Sequence, residues 1–295
     1  MNHEGKVLLT GATGFTGQYV LRHLLQAGYD VTIFCRNRSK AEAIKSNHSK
    51  FYVAEGSFED PQSLVTALRG QDILVSVASL GFGHADTIVN IAEQAGIRRG
   101  IFFSTTAIFT TLPAESKSVR LAAELSIRKA RFPWTILRPT MIAGAPGDRN
   151  MIRLIKWIDN HKLLPIFGPG TYRLQPVFVD DLAAAVVRVL QLPATQNMEY
   201  NLSGATAIDY NSLVALVGEK LGRKPWMIHL PIPLSLLAIR LARLIPGLPQ
   251  LSAEQILRLN EHKDFDHNNA IADFGYRATP LIDYLTLEIE GYRHG

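Results

Sequence analysis

The sequence predicts an α/β fold, a doubly wound parallel sheet carrying a smaller C-terminal α/β lobe. Over the first half of the chain, short apolar strands alternate with amphipathic helices, the pattern of a parallel sheet covered on both faces. The first strand runs directly into a glycine-rich turn and then a helix. At 295 residues the chain is long enough to bury such a core with a lobe attached.

In order, strands are expected at Lys6–Thr10, Val31–Cys35, Phe51–Glu55, Ile73–Val77, Ile101–Ser104 and Thr135–Arg138. Helices are expected between them at Thr16–Ala27, Lys40–Ser46, Pro61–Leu68, Asp86–Ala95 and Val119–Ala130. Gly28, Gly70 and Gly96 each follow a helical run, where a residue at positive φ ends a helix. After Pro139 the rhythm loosens. A helix over Asn150–Asn160 leads through Gly168-Pro169-Gly170 to a strand at Val177–Val179 and a helix at Asp181–Gln191. A strand at Glu199–Leu202, a helix at Tyr210–Leu221, a strand at Trp226–Leu230 and C-terminal helices complete the pattern. Residues 1–145 are expected to form the sheet domain and 146–295 a lobe interleaved with it.

Composition bounds the function. Hydrophobic residues make up 47% and charged residues 19%, which excludes a disordered chain. The formal charge of +5 is spread without a basic run, which argues against nucleic acid and suits an anionic cofactor or substrate. The single cysteine, Cys35, allows no disulfide framework and no metal cluster. The apolar run Val7-Leu8-Leu9 is too short for a signal peptide, so a cytoplasmic protein, monomer or homodimer, is expected. The Leu- and Ile-rich segment from Ile228 to Ile245 is broken by Pro231, Pro233, Arg240 and Arg243. It is expected to pack on the core as an amphipathic helix, rather than span a membrane or lie on one.

The turn Thr10-Gly11-Ala12-Thr13-Gly14-Phe15-Thr16-Gly17 has the form of a Rossmann-type phosphate loop. Gly11 permits the tight turn, Gly14 lets the backbone approach a pyrophosphate, and Gly17 lets the helix pack on the strand. The helix N-terminus then presents N–H groups to the phosphates. At the end of the second strand, where NAD binders usually place a carboxylate, stands Cys35-Arg36-Asn37-Arg38. A guanidinium suits the 2′-phosphate of NADP, so NADP is expected in preference to NAD, through Arg36 and with Arg38 as a second contact or a solvated loop charge.

These features, together with Phe103-Ser104-Thr105-Thr106-Ala107, Trp134-Thr135-Ile136-Leu137-Arg138-Pro139-Thr140 and Gln175-Pro176-Val177-Phe178-Val179-Asp180-Asp181, resemble the extended short-chain dehydrogenase/reductase superfamily over nearly the whole chain. Within it the resemblance is to NDP-sugar epimerases and dehydratases. It implies a substrate-orienting role for Thr106, and cofactor contacts from Thr13, Phe15, Thr16, Ser57, Phe58, Ala78, Ser79, Pro139 and Thr140. It also implies a small-molecule substrate, a nucleotide sugar or similar carbinol, with Arg149, Asn150 and Arg173 beside its diphosphate.

The superfamily's Tyr-x-x-x-Lys pair is missing. Aligning on Glu124 puts Arg120 at the lysine position and Ser116 at the tyrosine position. Tyrosine serves as a base because a neighbouring lysine draws down its pKa; a serine hydroxyl is too weak an acid to replace it. Other candidates for the proton are Lys117, Glu115 and His84, the last also a candidate substrate contact. Asp180 and Asp181 point apart, and one is expected to cap the helix that follows. Three readings stay open: an NADP-dependent oxidoreductase or epimerase, a non-catalytic NADP(H) sensor or assembly protein, and a carbonyl reductase with a non-tyrosine proton donor.

Overall fold

The computed structural model describes residues 5–44, 51–144, 147–242 and 253–294, with backbone only for 238–242. The first half alternates as the periodicity requires. Strands β1 (Lys6–Thr10), β2 (Asp30–Cys35), β3 (Phe51–Glu55), β4 (Ile73–Ser76), β5 (Arg99–Phe103) and β6 (Trp134–Pro139) are separated by helices α1 (Phe15–Gln26), α2 (Arg38–Ala43), α3 (Pro61–Leu68), α4 (Ala85–Gln94) and α5 (Glu115–Arg128). Beyond them come β7 (Ile142–Ala143), α6 (Met151–Asn160), β8 (Leu163–Phe167), β9 (Arg173–Leu174), β10 (Val177–Phe178), α7 (Val179–Gln191) and β11 (Met198–Leu202). The chain ends with β12 (Ile208–Asp209), α8 (Tyr210–Leu221), β13 (Trp226–Leu230), α9 (Ile232–Ala242), α10 (Ala253–Leu259), α11 (Asn268–Phe274) and α12 (Leu281–His294).

Seven parallel strands form the central sheet in the order β11-β6-β5-β4-β1-β2-β3. Strands buried on both faces read as continuous apolar runs, and Val7, Leu8 and Leu9 are fully buried. One face is covered by Val20, Leu21 and Leu24 of α1 and Leu182, Val186 and Val189 of α7. Leu64 and Leu68 of α3, Ile88 of α4 and Ile127 of α5 cover the other. A third core, built from Ile155 of α6, Val214 and Val217 of α8, and Tyr284 and Leu285 of α12, fills the lobe. Although they lie beyond residue 146, α7 and β11 belong to the sheet body, as do Ala270 and Phe274 of α11. Gly28, Gly70 and Gly96 all sit at positive φ where their helices stop.

Three expectations need correction. Helix α5 starts at Glu115 rather than Val119, because the polar stretch Glu115–Ser118 hides its first turn from an apolar pattern. Helix α2 starts at Arg38, with the Asn37 side chain accepting from Lys40 N at 2.9 Å; Lys45 and Ser46 of the expected helix lie outside the described residues. Neither Asp180 nor Asp181 caps α7, which already begins at Val179. Asp180 binds Arg22 and His23 of α1, while Asp181 accepts from the Thr279 amide and hydroxyl, both at 2.7 Å. Helix α9 lies against α10; of its described side chains Ser235 is buried, while Leu234 and Leu237 are each 52% exposed. Residues 243–245 of that segment lie outside the described residues. Among the described residues, no helix is long and apolar enough to cross a membrane.

Candidate functional site

The strand order reverses beside β1, whose neighbours are β2 and β4, so the carboxyl ends of β1 and β4 frame a crevice. The phosphate loop lies there. Gly11 has φ +76°, and a Cβ on it would stand 2.7 Å from the Ala78 amide nitrogen. A Cβ on Gly17 would stand 2.1 Å from the Gly11 carbonyl oxygen, so only glycine lets α1 close on the turn. The Gly14 amide donates to Gly11 O at 3.0 Å, and the first-turn residues of α1, whose N–H groups have no helical acceptors, line the crevice.

The cleft that opens there has a volume of about 1300 Å³. Its walls include Gly11, Thr13, Gly14, Phe15, Thr16, Gly17, Arg36, Ala78, Ser79, Arg120, Pro139, Thr140, Arg149 and Asn150. Arg36 is exposed, and no hydrogen bond or ion pair engages its guanidinium among the described residues. Also in the wall, Ser104 has a buried hydroxyl with no partner. A glycine cradle that a Cβ would fill, free helix N–H groups, an unengaged arginine and an orphaned hydroxyl together fit a phosphorylated dinucleotide.

Other expected residues lie elsewhere. Arg38 donates to Val53 O at 3.1 Å and approaches Glu42 and Glu55, so its charge is spent within its own corner. Ser57 turns its hydroxyl onto Glu59, and Phe58 packs between Phe34 and His84 at 5.7 and 5.8 Å. His84 sits 3.6 Å from Glu59 and lines neither cavity. Arg173 is paired with Asp264 at 2.7 Å. Ser116 is absent from both cavity walls; its carbonyl accepts from Arg120 Nη1 at 3.3 Å. Lys117 donates to Thr110 O at 2.5 Å.

Beside the cleft lies a chamber of about 670 Å³, and the two share Thr105, Thr140, Met141 and Asn150. Three threonines stand at this junction. Thr106 lines only the chamber and donates to Pro139 O at 3.3 Å; Thr140 donates to Gln175 O. The Thr105 hydroxyl accepts from Ala107 N at 3.2 Å, which leaves its proton uncommitted. The strand ends at Phe103 and a short turn begins at Thr106, the residue expected to orient the substrate, which stands in the chamber wall.

Deeper in, the chamber holds Tyr172, Tyr210, Arg258, Glu261, His262 and Lys263, none of which the sequence singled out. Burial, reinforced by Arg258, pushes the Lys263 ammonium down to about 8. Burial and Arg258 likewise lower Arg120. In sequence Glu261-His262-Lys263 reads as a solvated charged run; only the backbone bridge of Lys263 to Leu174 turns it inward.

The family model described as NAD(P)H-binding matches residues 11–165. A mitochondrial NADH dehydrogenase [ubiquinone] 1 alpha subcomplex subunit 9 from Arabidopsis thaliana is 24% identical over 96% of this chain and 74% of its own length. A ceramide reductase from Caulobacter vibrioides is 27% identical over 78% of this chain and 75% of its own. The UDP-glucose 4-epimerase structure from Thermotoga maritima superposes with a TM-score of 0.75 at 17% identity, covering 98% of this chain and 99% of that one. The chain thus shares the fold of the epimerase superfamily that its motifs resemble.

Proposed function

The chain belongs to the NAD(P)H-binding family, and from that premise we propose that it is an NADP(H)-dependent reductase of an apolar carbonyl compound. The observation that carries this reading is the junction at Thr105 and Thr140, where a dinucleotide-shaped cleft opens into a chamber walled by Phe109, Leu154, Leu174, Leu213 and Phe265. A nucleotide sugar brings many hydroxyls, each costly to bury without a partner. Of the arginines expected beside a sugar diphosphate, Arg149 lines the cleft and Arg173 is held by Asp264. Ceramide, named for one relative, is a lipid, in keeping with an apolar chamber.

Reduced dinucleotide supplies a hydride. The chain's own residues do the rest. The loop from Gly11 to Gly17 and the start of α1 hold the pyrophosphate, and Arg36 selects the 2′-phosphate. Thr105 donates its free proton in a hydrogen bond to the substrate carbonyl oxygen, polarising it where negative charge develops. The alkoxide takes its proton from water in the open cleft.

Purified protein with NADPH and a panel of apolar aldehydes, ketones and quinones, set beside UDP-sugars, tests the reading through loss of reduced-nicotinamide absorbance. Turnover confined to the apolar carbonyls is expected. Conversion of UDP-sugars alone would restore the epimerase reading. NADPH binding with no turnover of any compound would point to a non-catalytic sensor or assembly protein.

A further inference from the structure

Among the described residues the chamber is lined by two strong cations, Arg258 and Lys263, and one carboxylate, Glu261, whose charge acts on Lys263. Glu261 is held in place by the Thr110 hydroxyl at 2.5 Å, the Thr111 amide at 2.8 Å and the Thr111 hydroxyl at 2.7 Å, from all of which it accepts. Asp264 is taken by Arg173. Among the described residues Arg258 pairs with Glu254, at 3.5 Å. Among the described residues, no carboxylate lies within ion-pair distance of Lys263. His262 stacks near Tyr172 at 5.2 Å, and its Nδ1 accepts from Arg173 N at 3.3 Å, so it adds no negative charge.

Two like charges sharing a partly desolvated pocket are unfavourable unless an anion enters between them. The Lys263 backbone cannot swing out to relieve the repulsion, because its amide donates to Arg173 O at 2.8 Å. Leu154, Leu213 and Phe265 add hydrocarbon and aromatic surface to the same chamber. We infer that Arg258 and Lys263 form an anion subsite that holds the carboxylate of an amphipathic acid whose apolar body fills the chamber. A carboxylate can take the planar fork of Arg258 and the point charge of Lys263 together. The inference deepens the reductase reading by naming the substrate class, and rests on that reading only for the chamber's being the substrate site.

The burial that lowers Lys263 fixes the pH behaviour. Arg258, Glu261, His262, Tyr172 and Tyr210 are the titratable groups around it. Loss of the Lys263 proton is the event that weakens an anion's hold as pH rises through about 8.

The test is direct binding without turnover, by calorimetry on full-length protein saturated with NADP⁺, using octanoate and 3-phenylpropionate and their uncharged amides. At pH 7 each acid should bind at least about tenfold more tightly than its amide, roughly the 1.4 kcal/mol equivalent of one charged contact. The acids' advantage should fall between pH 7 and pH 9.5 while amide binding stays level. Lys263→Gln should erase most of the preference, and Arg258→Lys should keep it, with melting temperatures confirming that both fold. Equal binding of acid and amide, or binding of neither, overturns the subsite, as does a preference that survives Lys263→Gln. Because no turnover is measured, these outcomes are separate from failure of the reductase reading, which shows instead as absence of NADPH oxidation by neutral carbonyls.

Discussion

Arg138 grips Glu124 through two parallel hydrogen bonds, Nε to Oε1 at 2.8 Å and Nη2 to Oε2 at 2.6 Å, sealed between β6 and α5. Glu124 has no exposed surface, and Arg128 and Glu199 extend the cluster. Burial alone would lower the Arg138 pKa; Glu124 and Glu199 outweigh it and hold the charge. The pair fixes α5 to the sheet and thereby sets Arg120 at the cleft wall. Glu124→Ala leaves Arg138 buried with half its counter-charge, so stability should drop by about 3–5 kcal/mol. Urea unfolding reads this as a lower midpoint at constant slope. An unchanged midpoint would show the pair to be energetically idle.

That buried glutamate was legible as a spacing landmark on a helix, although its partner was not. The glycine loop and Arg36 were legible because the chemistry they serve is local: a strand, a turn and a helix start suffice. Lys263 and Thr105 were not, because their roles depend on contacts far along the chain. Lys263 reaches the chamber only through its bridge to Leu174, and Thr105 is distinguished from Thr106 only by what each hydroxyl already bonds.

Arg36 stands unengaged at the cleft edge, so its value lies in what it binds. Arg36→Ala should weaken NADPH by about ten- to a hundredfold, the worth of one or two charged hydrogen bonds, and leave NADH unchanged. Thermal shifts with each dinucleotide measure it; in the native protein NADPH should stabilise more. A preference for NADPH that survives the substitution would place the 2′-phosphate elsewhere.

Thr105 and Ser116 make a matched pair of tests for where the carbonyl sits. Thr105→Val removes an uncommitted hydroxyl at the junction of the two cavities and should cut kcat by about a hundredfold with little change in NADPH affinity. Ser116→Ala touches neither cavity and should stay within about twofold in kcat. The reverse pattern would restore the alignment that places Ser116 at the missing tyrosine.

Glu288 is buried on α12 and accepts from the Gly144 amide at 2.9 Å, next to the equally buried Asp148. Burial first, and then Asp148, push its carboxyl up to about 9 from the usual 4.5. Asp148 Oδ2 and Glu288 Oε1 have no donor around them, so a proton on Glu288 supplies the missing bond. Between pH 4.5 and about 9 the folded chain therefore holds a proton that the unfolded chain has released. Stability falls as pH rises through that window, by at most about 1.4 kcal/mol per pH unit, and levels off above it. Glu288→Gln keeps a donor for Asp148 at every pH and should flatten the decline. Because Asp148 Oδ1 accepts from the Asn150 amide at 2.6 Å, and Arg149 and Asn150 line the cleft, NADPH affinity should follow the same course. Urea unfolding and NADPH titration at pH 6 and pH 9, in both proteins, measure the effect. Parallel slopes in the two would mean that Glu288 is already ionised at neutral pH.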